Sequence, residues 1–163
     1  MKQLKGLALA ARGELEIVMT REFAAPRRTV FRALTTPELV KRWLYGPDPW
    51  MLAVCEIDLR VGGRYRYVWK NRTDGSEMGA GGVFREIAAP ERLVQTERFD
   101  DAWYPGESLI TTVLTEHAGT TTFTATLRYE SRQARDTVLK SPMEEGAGQS
   151  YERLAQLVTS LEA

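Results

Sequence analysis

From residue 131 to residue 161 the chain carries one helical periodicity, whereas almost everything from 51 to 130 alternates as antiparallel strand. A helix laid against a curved sheet either fills the space between them or leaves a pocket. Val138, Leu139, Met143, Tyr151, Leu154, Leu157, Val158 and Leu161 recur at three- and four-residue spacings and predict one buried face. Glu144-Glu145-Gly146-Ala147-Gly148 interrupts that face. Two glycines inside a helix cost about 1 kcal/mol each against alanine. Bare backbone at that point predicts a cavity or a close contact at mid-helix, with Gly146 beside it.

Upstream, Leu15, Ile17, Met19, Arg21 and Phe23 alternate with polar residues, which predicts a strand with one buried face, and that face contains an arginine. Pro26 and Pro37 stand near the starts of two short helical segments, Arg27 to Leu34 and Glu38 to Leu44. The loop YGPDPW follows. Further strands are predicted near Met51 to Leu59, Arg64 to Asn71, Met78 to Ala88, Arg92 to Phe99, Ser108 to His117 and Thr121 to Glu130. Glycine- and proline-bearing turns separate them, so seven strands are expected in an α+β chain. Gly81-Gly82 lies within a predicted strand, where a bend or bulge is the physical expectation.

At 163 residues, a single domain over 14–163 is the simplest division, with 1–13 as an accessory N-terminal segment. Twenty-two basic residues balance 22 acidic ones, so no global field favours nucleic acid or an anionic membrane. The apolar run LKGLALAA is too short to span a bilayer and lacks a signal-peptide core. The single cysteine, Cys55, excludes an internal disulfide, and a reducing cytoplasm is expected.

Chemistry-bearing motifs are sparse. His117, the only histidine, abuts Ala118-Gly119 in a predicted hairpin turn and reads as solvated rather than catalytic. Cys55 sits in a strand, where a buried inert thiol is the simpler reading. With no His/Cys cluster, no metal is expected, and with no phosphate-cradling glycine loop ahead of a helix, no nucleotide cofactor either. In RVGGRYRYVWKNR, alternation puts Tyr67 and Trp69 on one face and Arg64, Arg66 and Lys70 on the other, which accounts for the pattern without nucleic-acid stacking.

The order strand, two short helices, six-strand meander and long helix resembles the helix-grip fold of birch-pollen-allergen-like, START lipid-transfer and polyketide-cyclase-like proteins, the SRPBCC superfamily. Within it, TREFAAPRRTVFRALTTPELVKRWLYGP, EIDLRVGGRYRYVW, GGVFREIAAPERLVQTERFDD and MEEGAGQSYERLAQLV resemble the branch named after the activator of the heat-shock protein 90 ATPase. The resemblance covers residues 14 to 160. It implies a cavity between the curved sheet and the long helix that holds apolar or amphipathic small molecules. In related chains the helix motif often runs Gly-Trp then Ser-Leu; here it runs Gly146-Ala147 then Ser150-Tyr151, which opens space or moves the aromatic contact to Tyr151.

In that fold Trp43, Tyr67, Trp69, Phe84, Phe99 and Trp103 come from several elements around one interior, with Met143, Gly146 and Tyr151 on the helix side. Trp103, in the loop DDAWYPGES, is a candidate lid. An inward Arg21 is costly unless paired, and Glu56, Asp58 and Glu97 are the expected partners. Such a pair is either structural or orients the polar group of a ligand, Arg21 and Glu97 then being site residues. Three functions follow: a carrier, sensor or sequestering protein for a small hydrophobic molecule; a cyclase- or hydrolase-like enzyme using Arg21, Glu56, Asp58 and Glu97; or a cochaperone-like module that contacts a chaperone. No nucleophile, base and orienter are placed together, which favours the first. Monomer and homodimer both stay open.

Overall fold

A computed structural model describes residues 4–163. Strands β1 (Ala8–Arg12), β2 (Glu16–Phe23), β3 (Trp50–Ile57), β4 (Arg64–Asn71), β5 (Glu77–Ala88), β6 (Arg92–Phe99), β7 (Ser108–His117) and β8 (Thr120–Arg128) form one antiparallel sheet. Their spatial order is β1-β2-β8-β7-β6-β5-β4-β3. Helices α1 (Arg27–Thr35) and α2 (Pro37–Val40) follow β2, and α3 (Arg132–Lys140) and α4 (Met143–Leu161) follow β8. The sheet wraps α4 in an α+β, helix-grip arrangement.

The sheet has eight strands where seven are predicted. The additional one, β1, lies in the segment read as an accessory lead and pairs with β2 from Ala8↔Thr20 to Arg12↔Glu16, across a turn in which Gly13 takes φ 58°. Its five short residues carry little alternation, so the partner strand rather than the local pattern makes it a strand. Residues 1–3 of that segment lie outside the described residues. The second short helix also ends early: α2 stops at Val40, and its chain runs on in turns as the N–H groups of Trp43 and Leu44 donate to the Val40 carbonyl.

The single helix predicted over 131–161 is two. Ser141 is extended (φ −75°, ψ 165°) before Pro142, whose ring disfavours helical backbone in the residue ahead of it and which has no N–H to donate. α3 is capped at its start by Ser131, whose Oγ accepts from the Ala134 N–H at 3.1 Å. The break also removes Leu139 from the predicted buried face, leaving it 37% exposed. α3 is held instead by Arg135, 6% exposed, whose guanidinium donates to the Gly13 and Glu16 carbonyls at 2.9 and 3.1 Å and to Asp136 at 2.8 Å.

The core runs between the concave face and α4. Ile17 and Phe23 of β2, Phe123 of β8, and Leu154 and Val158 of α4 are fully buried; each such side chain contributes about 1.5–3 kcal/mol. Phe23 and Phe123 meet edge to face, centroids 6.1 Å apart. The sheet curls where the paired glycines lie: a Cβ on Gly82 would collide with the Thr96 carbonyl, and the β5–β6 register shifts between Phe84 and Glu86. A bulge there increases the local twist and bends β5 around the interior.

Candidate ligand cavity

Where α4 carries Gly146 and Ala147 instead of large side chains, the sheet and the helix do not meet, and a cavity of about 470 Å³ separates them. That volume falls in the usual range for small-molecule sites. Period-two alternation builds its wall. Leu93, Gln95, Glu97 and Phe99 face it from β6, Tyr67 and Trp69 from β4, Ile110 and Thr112 from β7, and Phe123, Ala125 and Leu127 from β8. Met143, Gly146, Ala147, Ser150 and Tyr151 close it from α4. Trp43 and the loop residues Leu44, Tyr45, Gly46 and Pro47, with Trp50, complete the rim; Pro47 and Met78 are exposed there.

Trp43 and Trp69 present carbon to the cavity, not their polar edges. Trp43 Nε1 donates to the Ala33 carbonyl at 3.0 Å and Trp69 Nε1 to the Leu44 carbonyl at 2.9 Å, so both indole donors are satisfied away from the cavity. Tyr151 packs between Trp43 and Phe123, at centroid distances of 5.4 and 5.1 Å. Trp69 stacks on Phe99 at 6.5 Å.

Of the residues singled out from sequence, Trp43, Tyr67, Trp69, Glu97, Phe99, Met143, Gly146 and Tyr151 line this cavity together. Arg21, Phe84 and Trp103 do not. Phe84 is 3% exposed and packs on Tyr65 in the core, centroids 5.5 Å apart. Trp103 is 41% exposed in the β6–β7 loop and touches Phe99 from outside, at 5.8 Å. Sequence reasoning passed over the β7 and β8 contributions and the loop around Gly46. The alternation of Phe123, Ala125 and Leu127 was the signal for the former; the loop leaves no periodic signal.

Arg21 has a different partner from those expected. Its Nη2 donates to Glu152 Oε2 on α4 at 3.0 Å, and it lies over the Phe23 ring at 5.7 Å. Glu56 and Asp58 are exposed at the opposite edge of the sheet, Asp58 paired with Arg60 at 2.8 Å. Glu97 faces the cavity instead.

Glu97 is the one acidic or basic side chain among the lining residues apart from the tyrosine hydroxyls. Part of its surface opens on the cavity, but protein surrounds the rest, and burial raises its carboxyl from an ordinary 4.5 to about 7. Burial, and the nearby Glu97 carboxylate, also push Tyr67 and Tyr151 upward, so both remain neutral hydroxyls. Burial lifts the Cys55 thiol to about 11, which keeps it protonated and unreactive. His117 is exposed at the end of β7, next to the two-residue turn Ala118-Gly119 with φ values of 50° and 77°. Among the described residues no three His, Cys, Asp or Glu side chains gather as a metal site.

A second concavity of about 640 Å³ lies on the outer face over Gly81 and Gly82. Although larger, it is walled by exposed charges of both signs, among them Arg66 and Asp100, already paired through two hydrogen bonds of 2.8 and 2.6 Å. The apolar cavity between sheet and helix is therefore the candidate site.

A curved antiparallel sheet gripping a C-terminal helix over an interior cavity defines the helix-grip class of proteins. Residues 24–159 match the family model described as Activator of Hsp90 ATPase homolog 1-like protein, and the chain belongs to that family. A solved protein from Rhodobacter sphaeroides is 27% identical with a TM-score of 0.89, over 96% of this chain and 99% of that one. One from Nitrosomonas europaea is 26% identical (TM-score 0.81; 93% and 99%), and one from Chromobacterium violaceum 29% (TM-score 0.76; 90% and 98%). A search of curated proteins finds no match. Among the described residues no helix is long and apolar enough to cross a membrane.

Proposed function

We propose that this protein binds a small hydrophobic or amphipathic molecule between its sheet and α4, as a carrier, sensor or sequestering protein. The observation that carries the reading is the 470 Å³ cavity whose wall is mostly aromatic and aliphatic and in which the Trp43 and Trp69 donors are already satisfied elsewhere. Filling such a cavity removes apolar ligand surface from water at about 25 cal/mol per Å². A cytoplasmic setting belongs to the same reading and rests on the lone, unpaired Cys55.

Catalysis in the same cavity has one feature in its favour, the raised carboxyl of Glu97, suited to proton transfer near neutral pH. The other groups named for that role stand apart: Arg21 is engaged with Glu152, and Glu56 and Asp58 are exposed. Binding is therefore the stronger reading.

Native mass spectrometry of freshly purified protein tests it, supported by titration with a fluorescent apolar probe. A copurifying small molecule, or saturable probe binding with one site per chain, is expected. An empty protein that also fails to bind the probe rules the reading out. Incubating any copurified molecule with the protein for hours, and finding a product that disappears with Glu97→Gln, would shift the assignment to an enzyme.

A further inference from the structure

We infer that the cavity selects a cationic amphiphile, a molecule with an apolar body and a protonated amine, and that Glu97 is the residue that recognises the amine. This deepens the proposed binding function and rests on it. Glu97 stands on the concave face of β6 between Gln95 and Phe99, and its carboxylate is a charge acceptor in a wall that supplies no compensating cation. Among the described residues no lysine or arginine lines the cavity.

A hydrogen-bonding head group by itself does not account for a carboxylate at this position. Gln95 and Thr112 already offer neutral donors and acceptors on the same wall, and a glutamine at 97 would add another at far lower desolvation cost. What a glutamate adds is net negative charge, and a buried charge is stabilised by an opposite one. The surrounding rings favour the same ligand. Tyr67, Trp69 and Phe99 neighbour one another with centroids 5.8 and 6.5 Å apart, and aromatic faces attract an ammonium group electrostatically. An anionic head group, by contrast, would meet Glu97 with no cation to offset it.

The groups near Glu97 set its behaviour with pH. Tyr65 and Tyr67 of β4, Tyr104 of the β6–β7 loop, Tyr129 just after β8 and Tyr151 of α4 all feel its charge, and burial holds every one of them neutral through the physiological range. Glu97 is then the group in this cluster whose charge changes near neutrality, its carboxyl lying at about 7. An alkylamine is protonated on both sides of that value, so its binding should strengthen as pH rises and Glu97 ionises, with release of the proton that Glu97 held.

The test compares decylamine, decanol and decanoate, equal in chain length and different in charge, by competition against a fluorescent apolar probe on the full chain. Wild-type protein at pH 8 should bind decylamine about tenfold or more tighter than decanol, the scale of a charge-assisted hydrogen bond, with decanoate weakest. Decylamine affinity should fall roughly tenfold between pH 8 and pH 6, as the ionised fraction of Glu97 falls. Glu97→Gln should erase both the amine preference and its pH dependence, so that amine and alcohol bind within about twofold of each other at pH 6 and at pH 8, and a wild-type circular-dichroism spectrum with retained probe binding shows that the variant is folded. Equal binding of amine and alcohol by the wild type, or an amine preference that survives Glu97→Gln, overturns the role of Glu97 and leaves cavity binding intact. Failure of all three compounds and of the probe overturns both.

Discussion

The backbone N–H of Gly46 donates to the hydroxyl of Ser150 at 2.9 Å, tying the rim loop after α2 to the middle of α4. Ser150 is 3% exposed, and both residues line the cavity. The bond thus joins two elements of the cavity wall, the loop after α2 and α4. Ser150→Ala leaves the Gly46 N–H without this partner and should destabilise the fold by about 1 kcal/mol in urea titration. Probe dissociation, followed by stopped-flow fluorescence, should speed up as the rim loosens. Unchanged dissociation would mean that the loop does not gate the cavity.

Gly146→Trp should separate affinity from stability. A Cβ at Gly146 meets only Pro47 Cδ, at 3.9 Å, and the backbone there is helical, so a side chain is accommodated at the rim. Gly146 is the fourth residue of α4, and removing a helical glycine favours the helix by up to about 1 kcal/mol. The indole, however, would occupy cavity space. We expect a melting temperature equal to or above that of the wild type and at least tenfold weaker probe binding. Wild-type affinity in this variant would take the start of α4 out of the site.

Arg21→Met tests whether the buried arginine is structural. Its Glu152 partner is 58% exposed and is rehydrated when the pair is lost, and Arg21 Nε is buried without a hydrogen-bond partner. Exchange for an apolar side chain of similar length should change stability by less than about 1 kcal/mol, in either direction. A loss above about 3 kcal/mol in chemical denaturation would contradict this account. Ligand binding should be unaffected, since Arg21 stands off the cavity.

Glu97 ties stability to pH with a definite sign. Its carboxyl is raised from 4.5 to about 7 in the fold, so the folded state holds a proton that the unfolded state has released over that interval. Its contribution is fully favourable below about 4.5 and is lost as pH rises through 7, by at most about 3 kcal/mol. Glu97→Gln should therefore match the wild type near pH 4.5 and exceed it in stability at pH 8. Parallel stability curves for the two proteins from pH 5 to pH 8 would show that Glu97 is not desolvated.

Local alternation and punctuation made most of the architecture legible. The inward set of β4, Tyr65, Tyr67 and Trp69, and the outward Arg64 and Arg66 follow from a period of two that any pairing of the strand preserves. The paired glycines of β5 marked the bend and Gly146 of α4 the cavity, since missing side chains act wherever the backbone goes, whereas Gly148 stands off the lining. The break at Pro142 was equally local, but helical spacing on both sides of it masked the proline.

Pairing across the chain was a different matter. Arg21 meets Glu152, 131 residues away, because β2 lies near one edge of the sheet and α4 crosses its concave face, while β3 with Glu56 closes the other edge. β1 became a strand only by lying beside β2. Whether Glu97 would be neutralised or left without a cation depended on which side chains eight strands and a helix bring to one place. Periodicity, a property of neighbours in sequence, determined the faces of each element; strand order and the shortfall of side-chain volume between sheet and helix, properties of the assembled chain, determined the cavity and the isolation of its single carboxylate.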